Sequence, residues 1–210
     1  MEDFWDSVYE RGMVYGKDPS ICALRVEELM EERIGTEILD IGCGYGRDAK
    51  YLAYKGYKVQ GIDPSGNAIT MAMKNFPVGD FKFGSFSKIP YRGNSFDCVM
   101  SHLTYHMLKE NERKKALQEV NRVLKPKGLL VFTVLSFHDP ISIKERKEHP
   151  EYGEYNEAFD RKMIEKEFKE FNVSKIEELD VTHMHPKGKK VTHKIFLIVA
   201  ESRKHAFISS

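Results

Sequence analysis

A glycine-rich turn that directly follows a buried strand constrains this chain more than any other stretch. Residues 36–41 (TEILDI) are largely apolar and β-branched, which predicts a buried strand. Glycine then occupies three alternate positions, Gly42, Gly44 and Gly46, and a helical pattern follows at about 47–55. Glycine permits backbone angles that are closed to other residues, and its missing Cβ lets a ligand approach the main chain. The N-terminus of the following helix offers unpaired N–H groups to an anion.

Beyond this turn, strands alternate with helices along the chain. The patterns predict helices at about 21–33, after Ser65 and at about 111–124, and strands at 58–63, 81–83, 96–100 and 129–135. Such alternation is typical of βαβ units in a parallel, doubly wound sheet. The last third predicts loop and irregular helix over 137–158, a helix over 160–171, and strands over 173–181 and 192–201. These last two strands must be antiparallel, because no helix joins them.

Composition narrows the classes of partner. The net charge of the 210 residues is +1 and no basic run forms a stripe, so no nucleic acid is expected as a partner. Cys22, Cys43 and Cys98 are few, odd in number and unclustered, which argues against a disulfide framework or a zinc site. The first residues do not resemble a signal peptide, and no apolar run approaches the roughly 18 residues of a membrane span. We therefore expect a cytoplasmic protein without a membrane partner, either a monomer or a homodimer.

Two ligand classes use a glycine turn of this kind. The dinucleotide fingerprint G-x-G-x-x-G would need glycine at position 47, which is Arg47. The chain instead has an acid, Asp40, two residues before the first glycine, and this resembles motif I of the class I S-adenosylmethionine (SAM) methyltransferases. Residues 90–99 (PYRGNSFDCV) and 122–128 (RVLKPKG) also resemble conserved patterns of the small-molecule branch of that family, the type 11/25 methyltransferases.

The resemblance implies a fold and an activity. It implies a Rossmann-like α/β fold, doubly wound, with a mostly parallel seven-stranded sheet and an antiparallel C-terminal hairpin. A single domain would cover 1–210, with an N-terminal flap and helix at 1–33, a cofactor-binding half at 34–136 and a substrate-side half at 137–204. The implied enzyme transfers a methyl group from SAM to a small molecule by SN2 displacement and releases S-adenosylhomocysteine (SAH). Alternatives are a protein or RNA methyltransferase of this fold, a nucleotide-binding or dehydrogenase module, and a non-catalytic methyltransferase-like module.

The resemblance also implies a set of cofactor contacts. They are Asp40, Gly42, Cys43, Gly44, Gly46, Asp63, Pro64, Ser85, Phe86, Ser101 and His102. Asp63 ends the second strand, where a carboxylate can accept hydrogen bonds from both ribose hydroxyls; it can also interact with the dipole of the next helix. Ser85 stands where the family usually has an aspartate for the adenine amino group, while Asp80 lies too early to serve. His102 is the candidate catalytic residue, and a structural histidine is the alternative.

Substrate contacts are expected from three segments: the N-terminal flap, the loop after strand five with His138 and Asp139, and the C-terminal hairpin with His193. The candidates are Tyr9, Tyr15, His183 and His185. The two tyrosines can close over the sulfonium by cation–π contact or pack in the core. The hairpin histidines can form a surface turn, contact the substrate or bind a metal. No carboxylate or cysteine joins them at ligand spacing, so no metal site is predicted. Methyl transfer depends mainly on positioning, and a base is needed only where the acceptor must lose a proton.

Overall fold

A seven-stranded sheet organises the structure, a computed structural model that describes residues 2–10, 12–13, 16–148, 156–184 and 190–205. The strands are β1 (Glu37–Ile41), β2 (Lys58–Asp63), β3 (Asp80–Phe83), β4 (Phe96–His102), β5 (Leu124–Leu135), β6 (Phe171–Met184) and β7 (Lys190–Ser202). Their order across the sheet is β3-β2-β1-β4-β5-β7-β6. The pairs among β1 to β5 are parallel, and β7 is antiparallel to both β5 and β6. The predicted fold class is therefore confirmed.

Helices cover both faces of this sheet. They are α1 (Glu2–Tyr9), α2 (Ile21–Glu31), α3 (Arg47–Tyr54), α4 (Gly66–Asn75), α5 (Glu110–Val123), α6 (Pro140–Glu148) and α7 (Arg161–Glu167), with a 3-10 turn at Tyr105–Met107. Two buried clusters lie between the helices and the sheet, one with Leu39, Phe96 and Phe132, the other with Ile38, Leu52 and Val131. Among the helices within the described ranges, none is both long and apolar enough to cross a membrane.

The order of the strands fixes where a ligand can bind. The chain crosses from β1 outward to β2 and β3, then returns to β4 on the other side of β1. Ligands of open α/β sheets bind at the carboxyl ends of the strands beside such a reversal. The glycine turn after β1, Asp63 at the end of β2 and His102 at the end of β4 all lie at this edge.

Several boundaries differ from those predicted. The helix expected to continue to 124 ends at Val123, and β5 begins at Leu124 rather than at 129, because Leu124 is already extended and pairs with Phe96. A register shift after this pair accommodates the segment 125–128 within the strand. Part of the segment for which loop and irregular helix were expected forms α6. The sequence carries a start signal for this helix, because the capping residue Asp139 is followed by proline at the first helical position. In the structure, Asp139 accepts a hydrogen bond from the Ser142 N–H at 2.7 Å.

The C-terminal hairpin is longer than predicted, and its extra length reaches the ligand edge. Strand β7 pairs with β5 only from Ile195 to Glu201, whereas β6 and β7 pair from Phe171 to Met184. Ile195 lies opposite Leu135, the last residue of β5. Residues 190–194 of β7 therefore continue beyond the carboxyl end of β5.

Candidate cofactor and acceptor site

A carboxylate joins the glycine turn to the end of β2. One oxygen of Asp63 accepts a hydrogen bond from the Gly44 N–H at 2.9 Å, and the other accepts one from the Ser65 N–H at 2.9 Å. The N–H groups of Gly42 and Cys43 both donate to the Ile62 carbonyl, at 2.8 and 3.1 Å. The turn and the acid are therefore held as one unit, and the two segments that the sequence singled out lie in direct contact.

Burial sets the protonation of Asp63. The side chain is 4% exposed, and this burial raises its pKa to about 6, against the two backbone hydrogen bonds that lower it. Above pH 6 the carboxylate is ionised, and each oxygen keeps a further lone pair for a donor. Ribose hydroxyls are donors of the kind that such a charged acceptor binds well.

Gly44 is required by its surroundings as well as by its backbone. Its φ is +52°, and a Cβ at this position would lie 2.6 Å from the hydroxyl oxygen of Tyr9. Tyr9, 8% exposed, packs edge-on against Tyr45 with ring centroids 6.3 Å apart. The Tyr9 side chain therefore covers the glycine turn. A role as an acceptor contact was predicted for it, and this position favours a contact with the cofactor loop instead.

Helix α1 is fastened over this end of the site by a second aspartate. The carboxylate of Asp6 accepts hydrogen bonds from the Ser65 hydroxyl and from the Asn67 N–H, the latter at 3.2 Å. Ser65 in turn accepts from the Ala68 N–H at 3.0 Å and so caps α4. The same short segment thus anchors Asp63 and the N-terminal helix.

Beneath the turn lies an acidic group, Asp40, with no hydrogen-bond partner among the residues that the structure describes. Asp40 is buried, and burial raises its pKa well above its usual range; the nearby Asp48 raises it further, while Arg47 opposes the shift. Within the described part of the chain, no group donates a hydrogen bond to the Asp40 carboxylate. Asp48, by contrast, is held by Arg47 at 2.9 Å and by the Ser20 hydroxyl at 2.6 Å. A buried carboxylate with open acceptor positions suits a cationic ligand group, such as the ammonium of an amino acid.

A shallow depression beside Asp63 offers apolar surface for a ring. It is about 130 Å³ and is lined by Pro64, Phe83, Gly84, Ser85, Lys88 and Pro90. Phe83 is 60% exposed, so one ring face is free to stack. The Phe86 side chain instead packs in the core against Tyr105 and Phe132, which leaves its backbone as the only group that can meet a cofactor. Cys43 is likewise turned inward, toward Gly61.

At the end of β4, one predicted residue is structural and its neighbour lies at the surface of the site. Ser101 is fully buried and donates to the Ile41 carbonyl at 2.8 Å, which ties β4 to β1. The Nδ1 atom of His102 lies 2.8 Å from the Thr133 hydroxyl. Burial lowers the pKa of His102 to about 4, and the nearby Arg47 and His183 act in the same direction against Asp48. His102 is therefore neutral near pH 7.

Histidines from separate elements meet beside His102. His183 of β6 stacks on His193 of β7, with ring centroids 5.4 Å apart and an interplanar angle of 7°. His183 contributes to the field at His102, and His193 to the field at the buried His106. His183 therefore belongs to this edge and not to a surface turn. Tyr15 and His185, also predicted as acceptor contacts, lie outside the described residues. Within the described ranges, no group of three or more His, Cys, Asp or Glu side chains is arranged to hold a metal ion.

Several residues of the site were not predicted. Asp6 and Phe83 had no motif to mark them, although Phe83 follows the alternation set by the buried Phe81. Arg47 entered the sequence argument only as a departure from the dinucleotide fingerprint, and its ion pair with Asp48 at the first turn of α3 was not foreseen. Asp139 and His193 were placed on the acceptor side, but their contact with one another was not predicted.

Comparison with known proteins agrees with this geometry. Residues 39–132 match the family described as "Methyltransferase domain". An uncharacterised methyltransferase of Synechocystis is 32% identical over 106 residues, which cover 50% of this chain and 49% of that protein. A demethylmenaquinone methyltransferase of Paenarthrobacter aurescens is 31% identical over 127 residues, covering 60% of this chain and 49% of the relative. The chain spans about half the length of these curated relatives or less.

A solved structure resembles the whole fold. The SAM-dependent methyltransferase of Methanosarcina mazei superposes with a TM-score of 0.70 at 24% sequence identity, and covers 85% of this chain and 98% of its own. The seven-stranded sheet and the site at its carboxyl edge define a Rossmann-like methyltransferase fold. The match over residues 39–132 identifies a methyltransferase-family domain within the chain, and the fold around it resembles that of a solved SAM-dependent methyltransferase.

Proposed function

We propose that the protein transfers the methyl group of SAM to a small-molecule acceptor. The observation that carries the proposal is the unit in which Asp63 accepts the Gly44 and Ser65 N–H groups at the carboxyl edge of the sheet. Bound SAM supplies a methyl group on a sulfonium, which a lone pair of the acceptor attacks in line with the breaking carbon–sulfur bond. The residues of this chain bind both partners, orient them and exclude water, and these effects account for much of the acceleration in such reactions.

The residues divide the cofactor between them. Asp63 accepts the ribose hydroxyls with the lone pairs that its backbone donors leave free. Asp40 receives the ammonium of the methionine end, directly or through water, since its buried carboxylate has no donor within the described chain. Phe83 and Pro64 cover the adenine ring, and Ser85 offers a hydroxyl to its amino group. Tyr9 closes the glycine turn from above.

A small acceptor is favoured by the character of the acceptor side. The groups that meet there are single side chains from β4, β6, β7 and the 3-10 turn, and the overall charge of +1 offers no general attraction to a polyanion. The relative from Paenarthrobacter aurescens is named for its action on demethylmenaquinone, itself a small molecule. The cytoplasmic location and the state of monomer or homodimer stay predictions.

Thermal unfolding with added ligand tests cofactor binding. At about 100 times Kd, a ligand that binds only the native state adds roughly 2.7 kcal/mol to the free energy of unfolding. For a chain of this size, this corresponds to a rise in Tm of about 5–10 °C with SAH or SAM. NAD serves as the control and should produce no shift. A shift with NAD and none with SAH would overturn the proposal.

Labelled SAM tests the class of acceptor. The protein is incubated with [methyl-³H]SAM and a cell extract, and the products are separated into small molecules and macromolecules. We expect the label in the small-molecule fraction, and about 10- to 100-fold less of it when Asp63→Asn replaces the wild type at a SAM concentration well below Kd. Label confined to protein or RNA would favour a macromolecular acceptor, and SAH binding without any labelled product would favour a non-catalytic module.

A further inference from the structure

A buried aspartate orients the imidazole of His193 at the acceptor side. Asp139 is 0% exposed and accepts three hydrogen bonds: from the Ser142 N–H at 2.7 Å, from the Lys194 N–H at 2.8 Å and from Nδ1 of His193 at 3.2 Å. Burial alone would raise the pKa of Asp139, but these hydrogen bonds outweigh it, and the pKa is lower than usual. The carboxylate is therefore ionised at neutral pH and can only accept.

The ionised carboxylate fixes the tautomer of the ring. Because Asp139 cannot donate, the proton of a neutral His193 must be on Nδ1, and the lone pair must be on Nε2. Within the described chain, no group forms a hydrogen bond with this Nε2 atom. A histidine held at Nδ1 by a buried aspartate, with Nε2 available as the base, has the same division of roles as the base of a catalytic triad.

His102 also has a hydroxyl at its Nδ1 atom. The Thr133 oxygen accepts the Leu103 N–H at 3.0 Å and lies 2.8 Å from Nδ1 of His102. A hydrogen bond donated by the Thr133 hydroxyl places the lone pair of His102 on Nδ1 and its proton on Nε2. In that arrangement His102 is a hydrogen-bond donor toward the site, and its choice as the candidate catalytic residue stays a prediction.

Unpaired buried polar atoms lie around the same place. Nδ1 of His106, Oδ1 of Asn156 and Oγ of Ser142 are buried and have no hydrogen-bond partner of good geometry within the described chain. His106 responds to the fields of His102, His193 and Asp139, and its ring lies close enough to the Asn156 side chain for a weak hydrogen bond. Buried polar groups normally have partners, so these poorly paired atoms mark a polar environment near the acceptor side.

We propose that His193 is the proton acceptor of the methyl transfer and that the acceptor molecule carries a hydroxyl group, a phenol, an enol or an alcohol. As the oxygen attacks the methyl carbon, the O–H bond gives its proton to Nε2 of His193, a C–O bond forms and the carbon–sulfur bond breaks. The electrons of that bond neutralise the sulfonium, SAH leaves, and the imidazolium later releases the proton to water. Asp139 is the positioning residue for this step. The inference rests on the methyl transfer proposed above.

A hydroxyl is the acceptor that best fits a dedicated base. An amine attacks with the lone pair of its neutral form, and a thiol ionises readily near neutral pH, whereas a hydroxyl oxygen gains most from a base that removes its proton. Asp139 also caps α6, which is a structural role. The ring tautomer reports the second role separately from stability, because asparagine keeps one oxygen for the cap but does not restrict the ring to one tautomer.

The first test needs no acceptor. Nitrogen-15 NMR of the histidine rings, with His193 assigned by comparison with His193→Asn, reports the tautomer in the wild-type protein. We expect the proton on Nδ1, and a mixture of tautomers in Asp139→Asn, whose Tm should fall because its NH2 group faces one of the two backbone N–H groups that the carboxylate accepts. A wild-type ring with its proton on Nε2 overturns the proposal.

The second test uses the acceptor that the labelled extract identifies by mass spectrometry. We expect a methyl ether as product, and a fall in kcat of about 10²- to 10⁴-fold in His193→Asn, whose amide still donates to Asp139. KM for SAM and the Kd of SAH should change little, and the exposed His205→Asn should behave as the wild type. A sulfonium or quaternary ammonium product, or a His193→Asn variant with full kcat, overturns the role of His193 while methyl transfer stands. An extract without labelled small molecules removes the parent proposal instead.

Discussion

Replacing Asp63 by asparagine should separate cofactor binding from stability. In the wild type the carboxylate accepts the ribose hydroxyls as a charged group, and hydrogen bonds to charged groups contribute about 1.5–3 kcal/mol. Asparagine is neutral and has one carbonyl oxygen in place of two acceptors. Asp63→Asn should therefore raise the Kd of SAH about 10- to 100-fold at pH 8, as measured by isothermal titration calorimetry.

The raised pKa of Asp63 determines how the stability of the protein changes with pH. Asp63 has a pKa of about 6 in the native protein and an ordinary value of 3.8. Its native state therefore holds the proton more tightly than the unfolded state. The stability that protonation contributes, up to roughly 3 kcal/mol, is present below about pH 4 and is lost as the pH rises through 6. Asparagine removes this buried charge but turns its NH2 group toward one of the two backbone N–H donors, so Asp63→Asn should lack the loss of stability that the wild type shows as the pH rises through 6.

Cofactor affinity should change in the opposite direction to stability. Because ribose is bound by the ionised form, the Kd of SAH for the wild type should rise as the pH falls below 6, by at most about tenfold per pH unit. The Kd of Asp63→Asn should not share this rise. Asp80→Asn is the matched control, since Asp80 lies at the start of β3 and pairs with Lys82 in solvent. A Kd in Asp63→Asn within twofold of the wild type, or an unchanged pH dependence, would refute the role given to this carboxylate.

Three further substitutions follow from the same contacts. Gly44→Ala should abolish SAH binding, because its Cβ would meet the Tyr9 hydroxyl. The control Gly56→Ala has free space around its Cβ and should cost only about 1 kcal/mol of stability. A Gly44→Ala variant that binds SAH normally would contradict the account of the turn. Arg113 is 2% exposed and pairs with Glu157 and Glu167. Arg113→Met should therefore lower the free energy of unfolding, measured in urea, by about 3–5 kcal/mol, whereas the exposed Arg161→Met should lower it by about 0.5 kcal/mol or less. Equal losses in the two variants would contradict this expectation. Burial lowers the pKa of His106 to about 3, so the native state binds fewer protons than the unfolded state. The stability that this contributes above pH 6.5 is lost on acidification, by roughly 2–3 kcal/mol at pH 4.5. His106→Asn should lose less of its free energy of unfolding over the same pH range.

The cofactor half could be predicted because its signals are local. The strand ending at Asp40, the glycines that follow and the acid at the end of β2 each depend on residues a few positions apart. Parallel order then brings the ends of β1 and β2 to the same edge whatever the details of packing. The contact between Gly44 and Asp63 follows from these two facts, and their hydrogen bond has a length of 2.9 Å. Boundaries were less certain, since Leu124 is helical by pattern but extended by its pairing with Phe96.

The acceptor side depended on contacts between distant segments. Asp139 and His193 are 54 positions apart, and they meet only because β7 pairs with β5 in the register that places Ile195 opposite Leu135. A shift by one residue would turn His193 to the other face of the hairpin. The sequence by itself determined the fold class and the cofactor loop, because periodicity and glycine act over a few residues. Only the tertiary structure decided which histidine has an aspartate behind it, because that choice is set by the register of strands that no local pattern specifies.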